Sequence, residues 1–191
     1  MMITLIRHAD VQDLYKMRYN GHIDISLSSE GEKQAQKLAE HFKDAKFDGV
    51  FCSDLKRARQ TLAPFALQVE PVFTEDLREK SWGRHEGMSF DEIIQSEEFA
   101  YEDFMQWVNA LDGEDYEAYI RRVKEFFLDY LPSLKKKNIL AVTHAGVIRV
   151  LISIIDKIGL EEAFCIRFDY SSYIILDINT MKFSKIENFS L

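Results

Sequence analysis

Cysteine, proline and glycine are scarce, at 2, 3 and 8 among 191 residues. The two cysteines, Cys52 and Cys165, stand far apart and match no metal or redox spacing. They are expected as reduced thiols, not as a disulfide framework. So few Gly and Pro exclude collagen-like and low-complexity chains. A long hydrophobic run is also missing. The greasiest stretch, Val147 to Ile155, is interrupted by Arg149 and falls far short of the ~20 residues that span a bilayer. The opening run Met1 to Ile6 meets Arg7 and His8 too early to form a signal-peptide core. A cytoplasmic protein with no membrane partner is the expectation. Positive charge is in deficit: 24 Lys and Arg against 32 Asp and Glu leave a formal −8. Such a surface repels nucleic acid, so no nucleic-acid partner is expected. A small anionic ligand is still allowed, because a few focused arginines outweigh distant, screened charge.

The composition that remains is globular, with 47% hydrophobic and 29% charged residues. A chain of this length is expected to form a single domain over 1–191 that buries its own core. Ile3 to Ile6 reads as a short buried strand, Gly49 to Cys52 as the next strand and Val69 to Phe73 as a candidate third. Between them, Ser29-Glu30-Gly31-Glu32 has capping-box spacing. Ala35, Leu38, Ala39 and Phe42 then follow at helical intervals, predicting a helix over 29–43. A second helix is predicted from Ser53 or Asp54 to about Leu67, with Pro64 as a possible kink. This alternation predicts an α/β fold, a three-layer sandwich with a mostly parallel sheet flanked by helices.

Further along, Phe104, Trp107, Val108 and Leu111 keep helical spacing. A longer amphipathic helix carries Tyr116, Tyr119, Ile120, Val123, Phe127 and Tyr130, ending before Pro132. Ile139 to Thr143 reads as a strong strand and 145–155 as a buried helix. Tyr173 to Ile178 and Phe183 to Asn188 predict a terminal hairpin across Asn179-Thr180. Segment 88–112 is the candidate for a small helical cap insertion.

Two histidines occupy matching places. Leu5-Ile6-Arg7-His8 closes the first strand, and Val142-Thr143-His144-Ala145-Gly146 closes the later strong one before a helix. Ligands of open α/β sheets bind beyond the carboxyl ends of the strands, so both rings can share one crevice. Ser53-Asp54-Leu55-Lys56-Arg57-Ala58-Arg59-Gln60-Thr61 also follows a strand and opens a helix, whose N-terminus favours an anion. Arg57 can aim at the crevice, while Arg59, two residues on, points elsewhere. Arg7 and Arg57 supply two planar forks suited to phosphate oxygens. Glu79, in Leu77-Arg78-Glu79, can bring a carboxylate to the rim.

Taken in order, Leu5-Ile6-Arg7-His8, Gly21 to Leu27 with Gly31, Ser53 to Thr61, Leu77-Arg78-Glu79 with Gly83 and Glu86-Gly87, and Thr143 to Arg149 resemble the histidine phosphatase superfamily. The likeness is to its phosphoglycerate-mutase-like branch and covers residues 3–149. It implies His8 as nucleophile, taking the phosphoryl group as a phosphohistidine. It implies Arg7, Arg57 and His144 around the phosphoryl oxygens, and Glu79 as proton donor to the leaving oxygen and then base for water. It implies no metal and no other cofactor. Elementary chemistry fits these roles. A histidine nucleophile must be neutral and held in one tautomer, and covalent capture splits one hard displacement into two easier ones. Fixed cationic donors stabilise the charge spread over the transferring oxygens. For Glu79 to act as an acid, the bound dianion must help keep it protonated.

The chain departs from the family pattern at Ala9, where glycine is common. Val11 and Leu14 stand where Thr and a phosphate-binding Asn often occur. His85 replaces an aromatic before Glu86-Gly87. Asn20 and Gly21 are the preferred substitutes for the missing amide, with Gln12 the other choice. The modest segment between Gly87 and Gly113 favours hydrolysis of a small phosphorylated substrate over a mutase's return of the phosphoryl group. The Gly21–Leu27 and Leu77–Gly87 segments look similar to α-ribazole phosphatases. Phe90, Phe99, Tyr101, Phe104 and Trp107 either line a pocket or pack the cap; packing is favoured for Phe104 and Trp107. Two rival readings are a metal-dependent hydrolase using His8, Asp10, His22, Asp24, His85 and His144, and a non-catalytic phosphate binder. The first fits no usual metal spacing.

Overall fold

The computed structural model describes residues 1–96 and 102–189. Strand β1, Met2–Arg7, opens the chain. It is followed by helix α1, Ser29–His41, and strand β2, Gly49–Ser53. Helix α2, Lys56–Leu62, and strand β3, Val72–Thr74, come next. Short helices α3, Phe90–Ser96, and α4, Phe104–Ala110, fall within segment 88–112. Helix α5, Tyr116–Lys124, runs through a π-helical turn, Glu125–Tyr130, into α6, Leu131–Ser133. Then follow β4, Asn138–Thr143, α7, Ala145–Asp156, α8, Leu160–Cys165, β5, Tyr173–Asp177, and β6, Lys182–Phe183.

The strands form one six-stranded sheet in the order β3-β2-β4-β1-β5-β6. β3, β2, β4 and β1 are parallel, while β5 and β6 add antiparallel edges. Alternation along each strand sends side chains to opposite faces. Ile139 and Ala141 of β4 pack with Ile3 and Leu5 of β1 against Tyr119 and Val123 of α5 and Val147 and Leu151 of α7. Leu140 and Val142 pack with Ile6, Val50 and Cys52 against Leu38 of α1 and Ala58 and Leu62 of α2. The sheet is therefore covered on both faces, as its near-continuous apolar strands require.

Boundaries shift where backbone donors are missing or replaced. α1 is capped by Ser28, not Ser29: the Ser28 Oγ accepts from the Gly31 amide at 3.0 Å. α2 stops at Leu62, two residues before Pro64, which has no N–H to continue the ladder. β3 begins only after Pro71 for the same reason. Helical backbone, in contrast, runs on through Pro132. The π turn starts a new helical segment in which Pro132 falls in the first turn, where its missing N–H costs nothing. β6 is shorter than expected because the Ser184 hydroxyl, not a backbone carbonyl, accepts from the Ile175 amide.

The register carries the functional consequence. Arg7 pairs with Thr143, and the His8 amide donates to the Thr143 carbonyl at 2.9 Å. His8 and His144 therefore leave adjacent strands side by side. Behind them Gly31 of α1 lies against the Asp10 backbone, where an added Cβ stands 2.0 Å from the carbonyl oxygen. Replacing Gly31 with Ala is expected to destabilise the fold by roughly 1–3 kcal/mol through overpacking. A lower urea midpoint measures this; an unchanged midpoint shows that α1 can slide without loss.

Candidate active site

The strand ends and the 18–25 and 79–82 segments enclose a cavity of about 210 Å³. Arg7, His8, Asn20, Gly21, Arg57 and Glu79 all line it. Five of its lining residues are Arg or Lys (Arg7, Arg18, Arg57, Lys80 and Arg149), against one carboxylate, Glu79. Positive charge is thus concentrated at one point of an acidic chain.

His8 is 7% exposed. Its Nδ1–H donates to the Ala9 carbonyl at 2.8 Å, which leaves the lone pair on Nε2. Burial, followed by the charges of Arg57 and Arg7, holds the imidazole well below its ordinary value of 6.5. The ring is therefore neutral at physiological pH. Ala9 is itself fixed, its amide donating to Thr61 Oγ1 at 2.9 Å.

Arg57 is buried and uses three directions at once. Nε donates to His144 Nδ1 at 3.2 Å, Nη1 to the Ile23 carbonyl at 2.8 Å and Nη2 to the Gly21 carbonyl at 2.7 Å. Burial lowers it to about 10, so it stays cationic at neutral pH. Arg7 donates to the Phe168 carbonyl and lies 4.0 Å from the centre of the Tyr170 ring. Its Nε is buried with no partner. Burial lowers Arg7 as well, with Tyr170 opposing the shift.

His144 stands one layer behind the cavity wall, its ring centroid 5.1 Å from that of His8. Because Nδ1 accepts from Arg57, Nε2 carries the hydrogen, which is donated to Ser53 Oγ at 2.9 Å. Both ring nitrogens are committed to protein partners. Burial, then Arg57 and the other nearby cations, holds His144 well below its ordinary value too.

Glu79 is fixed at the start of α7. Its Oε2 accepts from the Gly146 amide at 2.9 Å, and its Oε1 from the Tyr119 hydroxyl at 2.7 Å and the Lys80 amide at 3.1 Å. His22 Nε2 donates to the Glu79 carbonyl at 2.9 Å. Gly146 has no room for a side chain, since a Cβ there stands 2.1 Å from Glu79 Oε1. The Glu86 carboxylate ties the loops together, its Oε1 accepting from the His22 and Trp82 amides at 2.7 and 3.2 Å.

Asn20 donates its amide N–H to the Tyr15 carbonyl. That contact fixes the amide orientation and leaves Oδ1 buried without a partner. Val11 lines the cavity, whereas Leu14 is 69% exposed and does not reach it. Arg59 packs over the Phe73 ring at 4.8 Å, away from the cavity. Phe90 packs on Trp107, with centroids 4.9 Å apart, and Phe104 on Phe164 at 5.3 Å; neither Phe90, Phe104 nor Trp107 lines the cavity. Phe99 and Tyr101 lie outside the described residues. Among the described residues no three His, Cys, Asp or Glu side chains gather into a metal-binding group, and no helix is long and apolar enough to cross a membrane.

Sequence reasoning passed over Tyr116, Tyr119, Arg149 and Tyr170. The two α5 tyrosines read as core, and they are buried, yet both reach the cavity. Arg149 had a legible signal: it lies four residues after Ala145, on the same face of α7.

The chain is 30% identical over 184 residues to the adenosylcobalamin/alpha-ribazole phosphatase of Escherichia coli K12, covering 94% of this chain and 91% of that one. It is 26% identical over 182 residues to phosphoserine phosphatase 1 of Hydrogenobacter thermophilus, covering 91% and 85%. The crystal structure of the alpha-ribazole phosphatase from Shigella flexneri superposes with a TM-score of 0.82 at 29% identity, covering 96% and 94%. The family model of the histidine phosphatase superfamily, branch 1, matches residues 3–187. With that match spanning nearly the whole sequence, and with two strand-end histidines side by side, His8 on the wall of a cationic cavity and His144 behind it, the chain belongs to the histidine phosphatase superfamily, branch 1.

Proposed function

We propose that this phosphatase hydrolyses a small phosphomonoester through a phosphohistidine on His8. One observation carries the reading. A neutral imidazole, its Nδ1–H tied to the Ala9 carbonyl, stands on the wall of a cavity lined by five cationic side chains.

The substrate's phosphoryl oxygens lie against Arg7 and Arg57, with the unpartnered Arg7 Nε available as a donor. His8 Nε2 attacks phosphorus and the ester P–O bond breaks. Protonated Glu79 gives its proton to the departing oxygen, so the alcohol leaves neutral. Glu79, now a carboxylate, takes a proton from water, whose oxygen attacks the phosphohistidine. The N–P bond breaks, inorganic phosphate is released and His8 returns to its neutral form. His144 acts as a positioning residue. It was expected to grip the phosphoryl oxygens, but its ring nitrogens hold Arg57 and Ser53 instead. Gly21 contributes by its carbonyl, which orients Arg57. Tyr119 and the Gly146 amide aim the Glu79 carboxyl. Trp107 Nε1 of α4, within the segment read as a cap, donates to the hydroxyl of cavity-lining Tyr19 at 2.9 Å. The short span of sequence between Gly87 and Gly113 favours hydrolysis over return of the phosphoryl group.

Rapid quenching during turnover of a labelled aryl phosphate is expected to trap an acid-labile, alkali-stable phosphoenzyme. His8→Ala removes it and lowers kcat by on the order of 10³-fold or more. A variant that keeps its turnover overturns the assignment.

A second expectation concerns pH. His8 and His144 are neutral when folded, at values well below the 6.5 they regain on unfolding. Below pH 6.5 the unfolded chain therefore binds more protons, and stability falls as pH drops toward the folded-state values. His8→Asn removes one of these protons. Its stability should fall less steeply than the parent's between about pH 6.5 and 5 in urea titrations; parallel curves contradict this.

A further inference from the structure

We infer that the alcohol part of the substrate carries a second acidic group, received by Arg149 and Tyr116 beside Glu79. This rests on the phosphatase reading and specifies its substrate class.

Among the described residues, four buried side-chain polar atoms have no hydrogen-bond partner: Arg7 Nε, Asn20 Oδ1, Glu30 Oε1 and Tyr116 Oη. Three of the four belong to residues lining the one cavity. Native proteins rarely leave buried polar atoms unpaired, so such a cluster asks for a ligand. A phosphoryl group on His8 satisfies Arg7; Tyr116, on α5, stands instead beside Tyr119 and Phe164.

The cations divide in the same way. Arg7 and Arg57 flank His8. Arg18 is neutralised by Glu92 at 2.5 Å. Lys80 donates to the Ser81 carbonyl at 3.1 Å and covers the Trp82 ring at 4.3 Å, with Glu114 foremost among the carboxylates in its electrostatic reach. Arg149 has no carboxylate within ion-pair distance among the described residues. Its Nε and Nη2 donate to the Ile166 carbonyl at 3.1 and 3.0 Å, leaving the Nη1 edge of the fork.

Arg149 and Tyr116 share a wall. The guanidinium lies 5.6 Å from the centre of the Phe164 ring and the Tyr116 ring 6.5 Å from it. Burial lowers Arg149 from its ordinary value, and Glu79 is the charged group that opposes this most. The Tyr116 ring lies 5.9 Å from that of Tyr119, whose hydroxyl donates to Glu79 Oε1 at 2.7 Å, so the pair stands on the side of Glu79, the group that protonates the leaving oxygen. An acidic substituent on the alcohol meets a free guanidinium edge and an unpaired hydroxyl there, the strong charge-assisted arrangement for a carboxylate or phosphate. The buried Asn20 Oδ1 takes an N–H or O–H of the same fragment. A cavity of about 210 Å³ suits a small metabolite, below the roughly 300–1,000 Å³ of drug-sized sites.

The test compares kcat/KM within matched pairs: O-phosphoserine against O-phosphoethanolamine, and propane-1,3-diol bisphosphate against its monophosphate. The first pair reads a carboxylate and the second a second phosphate. The wild-type protein is expected to prefer the acid-bearing member of at least one pair by about 10- to 100-fold. Arg149→Met collapses that ratio toward one, mainly through KM. Arg149→Lys keeps part of it, and Tyr116→Phe lowers it several-fold. Ratios near one in both wild-type pairs overturn the inference. So does an Arg149→Met or Arg149→Lys protein that loses both members of a pair alike, because Arg149 then only buttresses the Ile166 carbonyl. Failure of the wild-type protein to turn over p-nitrophenyl phosphate contradicts the phosphatase reading itself, so the two failures are distinguishable.

Discussion

The parallel pairing of β1 with β4 is the constraint on which the rest depends. Its register sets Arg7 opposite Thr143, and the two chains then turn out of the sheet as His8 and His144, with ring centroids 5.1 Å apart. A slip of one residue moves every side chain to the other face. It would carry Ile3 and Leu5 from the face packed by α5 and α7 to the face packed by α1 and α2, where Ile6 now sits, and undo the packing of both cores. Register is therefore enforced by apolar burial far from the chemistry. The site inherits its geometry from the hydrophobic pattern of two strands.

Charge is organised against the average. The chain carries a formal −8, yet the cavity beside His8 gathers five cations and one carboxylate. Arg57 shows how this is held. Its donors reach two loop carbonyls and His144, so the same side chain fixes the 21–23 backbone and keeps a fork beside the nucleophile. The neighbouring cations and burial keep His8 neutral, which is the state a nucleophile needs. Desolvation that is costly for stability is thus the condition of reactivity.

Much of this was legible in the sequence, for physical reasons. Strands such as Ile139 to Thr143 are continuous apolar runs, and their polar ends mark the open side of a parallel sheet. Arg7, His8 and Arg57 follow such runs, the role of Glu79 came from the family resemblance, and all four line one cavity. The missed residues lacked a local signal. Tyr116 and Tyr119 occupy a core stripe of α5, and no periodicity tells a packed tyrosine from one whose hydroxyl meets a carboxylate. Tyr170 reaches Arg7 from the turn before β5, a contact set by tertiary folding. Asn20 was the preferred substitute for a missing phosphate-binding amide. Its orientation depends on the Tyr15 carbonyl, which no spacing rule reveals. The helix and strand ends moved by a few residues because Ser28, Pro64, Pro71 and Ser184 compete for backbone partners through chemistry finer than hydrophobic period.

The central claim is that His8 Nε2 attacks a phosphorus centre cradled by Arg7 and Arg57, with Glu79 on the opposite, leaving-group side. A crystal structure with orthovanadate tests this most directly. The account predicts trigonal-bipyramidal vanadium bonded to His8 Nε2, equatorial oxygens on the two arginines, and the apical oxygen within hydrogen-bond reach of the Glu79 carboxyl. Vanadate bound elsewhere, or held in the cavity with His8 turned away from the metal, contradicts it.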